Sequence, residues 1–228
     1  MTKLIKASPT FSDVVYARRS ARSFLQTPVL HETIVEALQE AQQAPSNCNT
    51  QPWIVHVVSG AKLQELSGAM LLAEAQGRRT FDFPFDRAAY KGQYWERNDQ
   101  QARTYFASLG VERGDEEGRK ASYLRNFSFF GAPHVALLFM PEPADVRVAA
   151  DIGMFAQTFL LALTSRNLEA IPQTSLSYFA DTVRDVLNIP SEQKLLFGIS
   201  FGHADENYPG YGFDLGRAAL SEDVTFHD

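Results

Sequence analysis

Apolar positions along the chain follow two rhythms. Over residues 30–44, Ile34, Val35, Leu38 and Ala41 share one helical face while Glu32, Glu36 and Glu40 lie off it, so an amphipathic helix is predicted. Thr27-Pro28 is its entry turn and Pro45 its stop. Residues 53–58 hold Ile54, Val55, Val57 and Val58, the β-branched run of a strand. Ser59-Gly60 then turns the chain into a short helix over 62–75. A second buried strand is predicted over 134–140. The longest predicted helix covers 146–170, where Ile152, Phe155, Ala156, Phe159, Leu160 and Leu163 make a nearly continuous apolar face. A loop at 171–175, a short helix at 178–187 and a third strand at 194–201 follow. Beyond Gly202 the tail is rich in Gly, Pro and charge, with a candidate strand at 224–226.

Residues 78–130 depart from both rhythms. Phe81, Phe83, Phe85, Tyr90, Tyr94, Trp95, Tyr105 and Phe106 crowd among many charges. Such a stretch reads either as a helical subdomain packing its own rings or as a surface for a partner chain or a flat ligand. Helices outnumber strands, and several connections are too short for a repeating βαβ pattern. The expected class is therefore α+β, with helices packed around a small mixed sheet. One domain over residues 1–228 is expected, with 78–130 as an inserted lid subdomain.

Composition narrows the function classes. The 228 residues carry 21 Lys+Arg against 27 Asp+Glu, a net charge of −6, which argues against bulk nucleic-acid affinity. A chain of this length buries roughly 70% of its unfolded surface without staples. The single Cys48 excludes an internal disulfide framework and suits a reducing compartment. No membrane span is expected, because the apolar run at 155–163 is interrupted by Gln157 and Thr158. The opening residues 1–6 lack the apolar stretch of a secretory signal. A soluble cytoplasmic protein is the expectation.

Candidate chemistry is sparse. His31, His56, His134, His203 and His227 are scattered, with no ligand pair at helical spacing, so no metal site is expected. Gly198-Ile199-Ser200-Phe201-Gly202 fits the nucleophile elbow of serine hydrolases, with Asp205, Asp214 and His227 in the right order. That mechanism needs a helix directly after the turn, and Pro209, Gly210 and Gly212 stand where it would run. Ser200 reads better as a strand residue between two small neighbours. Neither a dinucleotide-binding G-x-G-x-x-G nor a P-loop is present.

Another anion-binding device is available. Arg18-Arg19-Ser20-Ala21-Arg22 places three guanidinium groups and a hydroxyl within five residues, suited to bidentate contacts with a phosphomonoester. Alone, such a run more often marks a solvated helix end whose charges offset the helix dipole. A second cluster, Ser46-Asn47-Cys48-Asn49-Thr50-Gln51, bunches carboxamides that both donate and accept, as a heteroaromatic ring with alternating carbonyls and nitrogens requires.

Together these stretches resemble a known family. Arg-Arg-Ser-x-Arg-x-Phe at 18–24 and Ala-Pro-Ser-x-x-Asn-x-Gln-Pro-Trp at 44–53, with a helix between them, are similar to the FMN-dependent nitroreductases. The aromatic middle, Phe129-Phe130-Gly131-Ala132-Pro133 and Pro172-Gln173 resemble its nitrobenzoate-reductase-like branch. The resemblance covers nearly the whole chain from Phe11.

It implies a homodimer with two FMN sites at the subunit interface. Arg18, Ser20 and Arg22, with Arg19 in the same run, would hold the phosphate and ribityl tail. Asn49 would bond the isoalloxazine edge, with Ser46, Asn47 and Gln51 contributing from the partner chain or nearby. Pro172, Gln173, Thr174 and Ser175 would line the flavin face and its N5 side, and Arg217 would be a C-terminal phosphate ligand. Leu215 departs from the basic or hydroxyl residue usual two positions before that arginine. The resemblance further implies ping-pong hydride transfer from NADH or NADPH to a nitroaromatic or quinone, with flavin N5 in place of a catalytic side chain. The same fold supports reductive dehalogenation and flavin cleavage. Residues 81–106 would cover the partner subunit's site, where Arg87, Arg97 and Arg103 either lie solvated, the commoner role for such residues, or pair with a substrate carboxylate.

Overall fold

Four strands build the sheet: Ile54–Ser59 (β1), His134–Met140 (β2), Glu169–Gln173 (β3) and Lys194–Gly202 (β4), ordered β1-β2-β4-β3. The computed structural model describes residues 9–143 and 145–227, so the leader reading at residues 1–6 lies outside the described residues. The α+β expectation holds, with one correction: all named strand pairs are antiparallel, so the sheet is not mixed. Its parallel element is a single bridge, Ser20 to Ala170, on the outer edge of β3.

β2 is buried along its whole length, which explains its uninterrupted apolar sequence. Successive side chains of a strand point to opposite faces. Val135, Leu137 and Phe139 therefore join one core, with Gly60–Ala75 (α3) and Ala180–Leu187 (α7). Ala136, Leu138 and Met140 join the other, with His31–Ala41 (α2) and Val146–Ser165 (α6). α6 is long and apolar enough to cross a membrane by length and composition alone. Its Ile152, Phe155, Phe159 and Leu163 are spent instead on the sheet, each at most 2% exposed.

α6 is shorter than its hydrophobic pattern. It closes with Asn167 in the left-handed region at φ 56°, the Asn167 N–H bonded to the Thr164 carbonyl and the Leu168 N–H to that of Leu163. This is a Schellman stop. The chain then re-enters the sheet as β3, where a helix end and a loop were expected. Pro172 fits there because β3 is an edge strand. Before the first predicted helix lies Phe11–Ala17 (α1), which periodicity does not announce because Val14 alone of its residues is buried. The aromatic stretch contains Gly92–Ser108 (α4) and Glu116–Leu124 (α5). The candidate strand at 224–226 is not formed; instead Leu220–Asp223 makes a last short helix (α8), and Phe226 is exposed.

His134 anchors the chain between α1 and α2. Its Nε2 accepts from the Val29 N–H at 2.9 Å, so Nδ1 carries the proton and meets the Ser59 hydroxyl. The ring is buried and stacked on Phe201. Burial lowers its pKa from the ordinary value of 6.5. The unfolded chain takes up a proton as pH falls through about 6.5 while the folded ring stays neutral, so stability is lost below that value and the loss levels off beneath the folded pKa. Urea denaturation at stepped pH is expected to show that decline, and His134→Asn is expected to flatten it between about pH 7 and 5.

Candidate active site

The bridge between Ser20 and Ala170 sets the arginine run against the free edge of β3. α1 delivers the run: Thr10 caps it in a reciprocal pair with Asp13, and it ends as the Arg18 N–H bonds the Val14 carbonyl. Beyond that end lies a cavity of about 790 Å³ bordered by Arg18, Arg19, Ser20 and Arg217. The Arg18 pKa is lowered, first by burial and then by repulsion from Arg217. Arginine keeps its charge regardless.

Two carboxylates stand close by. Asp214 borders the cavity, but its Oδ1 accepts from the Gly216 N–H at 2.8 Å. Glu169 is half-buried, its Oε1 accepting from the Tyr211 hydroxyl at 2.8 Å and lying 3.8 Å from Arg19 Nε. Its Oε2 is buried without a hydrogen-bond partner, and burial raises its pKa. Neither carboxylate pairs with Arg18 or Arg217. The cavity retains positive charge with donors converging on it, the arrangement a phosphomonoester requires.

Pro172 borders this cavity and a second one, of about 360 Å³. The floor of the second is Pro172, Gln173, Thr174 and Ser175; its walls include Arg22, Tyr105, Phe106, Tyr123 and Phe130. A polar chain, buried at Ser200 and Gln173 and partly buried at Asn126 and Ser175, fixes the floor. The Ser200 hydroxyl donates to Gln173 Oε1, Gln173 Nε2 donates to the Asn126 carbonyl at 3.1 Å, and the Ser175 hydroxyl donates to Asn126 Oδ1 at 2.9 Å. Ser200 is thus fully buried within β4 and bonded away from any substrate, which removes the serine-hydrolase reading. The flanking glycines are small for packing: a Cβ at Gly198 would stand 2.5 Å from Leu176 Cδ1, and one at Gly202 would stand 2.8 Å from Pro133 Cδ.

Arg22 belongs to this second cavity, not to the phosphate-sized one. Its guanidinium lies between the Tyr105 and Phe213 rings, 4.9 and 5.0 Å from their centroids, and burial lowers its pKa. Tyr105 is held in turn by the Ser122 hydroxyl at 3.1 Å. Of the rings in the aromatic segment, Tyr105 and Phe106 border the same cavity as the floor residues of their own chain. Of the three lid arginines, Arg103 pairs with Asp99, Arg97 pairs with Glu222 and Asp223, and Arg87 reaches the cavity.

Ser46, Asn47, Asn49 and Gln51 are not brought to either cavity within one chain. They form an exposed loop pinned to α6, where the buried Asp151 carboxylate accepts from the Asn47 N–H at 3.1 Å. Cys48, Asn49 and Gln51 all hold left-handed backbone, at φ 50°, 55° and 48°. Strain of this kind is kept where a loop presents its side chains in one fixed pose. Asn126, Asp151, Glu169 and Phe213 carry no motif, and only the fold reveals them. Among the described residues no cluster of potential metal ligands occurs.

A model of the nitroreductase family matches residues 15–203. The nitroreductase NfnB of Mycolicibacterium smegmatis is 40% identical over 213 residues, 93% of this chain and 91% of that one. A 4-nitrobenzoate reductase of Pseudomonas putida is 36% identical, covering 86% of each chain. A crystal structure of the FMN-dependent nitroreductase NfnB from Mycobacterium smegmatis, in complex with NADPH, superposes with a TM-score of 0.93 over 95% of this chain and 97% of that one, at 40% identity. With a family model spanning most of its length and relatives this similar over nearly all of it, the chain belongs to the nitroreductase family.

Proposed function

We propose that this chain is an FMN-dependent reductase that uses NAD(P)H to reduce nitroaromatic or quinone-like electrophiles. The observation that carries the reading is the pair of cavities meeting at Pro172, one cationic and the other lined by rings and a fixed polar floor. Their combined shape suits an elongated ligand with a phosphate at one end and a flat polar ring system at the other. Arg18, Arg19, Ser20 and Arg217 would hold the phosphate of FMN. Arg22, Pro172, Gln173, Thr174 and Ser175 would border its ring. When bound, FMN supplies hydride acceptance from NAD(P)H and hydride donation to the electrophile.

The protein's share is position and electrostatics. Asn126 and Ser200 hold Gln173 and Ser175 in place, and the Tyr105–Arg22–Phe213 stack fixes a cation beside the ring site. No side chain needs to act as nucleophile or metal ligand. The rings of the lid exclude water and provide flat surface for flat substrates. Nicotinamide nucleotide and electrophile would use this one opening in turn, a ping-pong order.

The working unit is a cytoplasmic homodimer. Phe11 and Tyr16 on α1 and Val146 on α6 are 76%, 88% and 82% exposed, an apolar surface that a second copy would cover. In such a pair, Ser46, Asn47, Asn49 and Gln51 would reach the partner's flavin, which accounts for a strained, exposed loop that borders neither cavity of its own chain. Each chain would act as one domain over residues 1–228, with 78–130 inserted as its lid.

The isolated protein is expected to be yellow, to bleach with NADH or NADPH under anaerobic conditions and to recolour on addition of a nitroaromatic. Flavin that stays oxidised with both nucleotides would sink the reductase reading and leave the fold untouched. Arg22→Ala is expected to weaken FMN retention by about 1–3 kcal/mol, read by fluorescence titration. Asn126→Ala orphans the Ser175 hydroxyl and part of the Gln173 amide. It is expected to cost about 1–3 kcal/mol in urea unfolding and to slow flavin bleaching in stopped flow.

A further inference from the structure

The carboxamide-rich loop is held by one helix at two points. The Asn47 N–H donates to both oxygens of Asp151, at 3.2 and 3.1 Å, and the Trp53 ring stacks on Phe155 with centroids 5.1 Å apart. Asp151 and Phe155 stand four residues apart on α6, so both anchors belong to one face of that helix. The loop also closes on itself. The Gln51 N–H donates to Ser46 Oγ at 2.9 Å, and the Asn49 N–H donates to the Ser46 carbonyl at 3.0 Å. Left-handed backbone at Cys48, Asn49 and Gln51 persists here because the surroundings over-determine it.

Asp151 is unfavourable where it stands. It is 5% exposed, in a helix otherwise given to the core, and among the described residues no Lys, Arg or His pairs with it. A buried carboxylate with one backbone donor contributes little to stability. What it does supply is a fixed pose for Asn47 and the residues that follow. From this frame the Asn49 carboxamide emerges exposed and, among the described residues, with no bonding partner in its own chain. The same stretch of α6 leaves Val146 and Met154 exposed, an apolar side open to a second copy. Resting on the FMN and homodimer reading above, we propose that Asp151 is a positioning residue acting across the subunit interface. With Phe155 it clamps the loop of one chain so that Asn49 meets the FMN held in the partner subunit. The Asp151 carboxylate itself touches neither FMN nor substrate.

Mixed dimers separate an effect on the partner's site from a defect within one chain. In the homodimer, Asp151→Ala is expected to raise the dissociation constant for FMN about tenfold, read by fluorescence titration. Asp151→Asn keeps an acceptor for the Asn47 N–H and is expected to fall between that variant and the unaltered protein; it replaces Asp151→Ala in the mixing if the alanine variant fails to fold. A chain carrying Arg18→Ala and Arg217→Ala has a damaged phosphate cavity and an intact loop. Co-expressed with Asp151→Ala under two affinity tags, it is expected to give mixed dimers in which one site binds FMN as tightly as the unaltered protein. In that site the intact cavity of one chain meets the intact loop of the other. Mixed dimers without a tight site would confine the effect of Asp151 to its own chain and overturn the proposal. So would unchanged FMN affinity in Asp151→Ala, or an unaltered protein that binds FMN as a monomer. Binding alone is read, so a dimer that behaves as expected but is not reduced by NADH or NADPH refutes the reductase reading and leaves this one standing.

Discussion

The pairing of Ser20 with Ala170 is the contact on which the site depends. A free sheet edge exposes unpaired N–H and C=O groups, and β3 is such an edge. Covering it with the segment after α1 brings Arg18, Arg19 and Arg22 beside a strand 150 residues away in sequence. That strand runs directly into Pro172–Ser175. One backbone bridge thus forces a cationic cluster and a polar floor to share a border at Pro172, and successive residues of the run then face different cavities. Arg18 and Arg19 face the phosphate-sized one, while Arg22, further along, turns into the ring-lined one.

The C-terminal segment makes these halves interdependent. Phe213 closes one side of the Arg22 stack, Tyr211 holds Glu169 behind Arg19, and Arg217 borders the phosphate-sized cavity. A few residues later Glu222 and Asp223 pair with Arg97 on α4. The same strap that completes the cationic cavity therefore also ties down the lid helix carrying Tyr105 over the other. Each of these ion pairs is exposed and individually weak. The cation–π stack and the buried Ser122–Tyr105 bond are the contacts that fix the geometry, because they lie away from solvent.

Much of this was legible in residue patterns. The strand at 134–140 and both N-terminal motifs stand out because burial on two faces and clustered guanidinium or carboxamide groups leave local signatures. What was hidden is what two-sided burial or distance erases. Leu168 and Ala170 extend the apolar rhythm of α6 past Ser165, so the Asn167 stop and β3 look like more helix; only the left-handed turn separates them. Asn126 sits in an aromatic stretch with no motif to single it out, yet it receives hydrogen bonds from both Gln173 and Ser175. Ser200 matches a catalytic pattern and is a structural hydroxyl, because Gly198-x-Ser-x-Gly202 answers to the close approach of Leu176 and Pro133. Arg22 looks like one more phosphate ligand in a run of three, and strand-edge geometry turns it elsewhere.

The division of charge also sets how the site responds to pH. A group that must gain or lose a proton near neutral pH needs a pKa in that range, obtained from a delicate balance of burial and partners. Arginine does not respond to such balances; it stays charged where burial and repulsion would neutralise a lysine. Lining the two cavities with guanidinium groups gives a field that is constant across the working pH range and cannot be lost to deprotonation. The cost is repulsion among Arg18, Arg19 and Arg217, which the displaced carboxylate of Glu169 offsets only in part. An anionic ligand held between them would offset that repulsion, so the mutual repulsion of these guanidinium groups is itself a source of affinity.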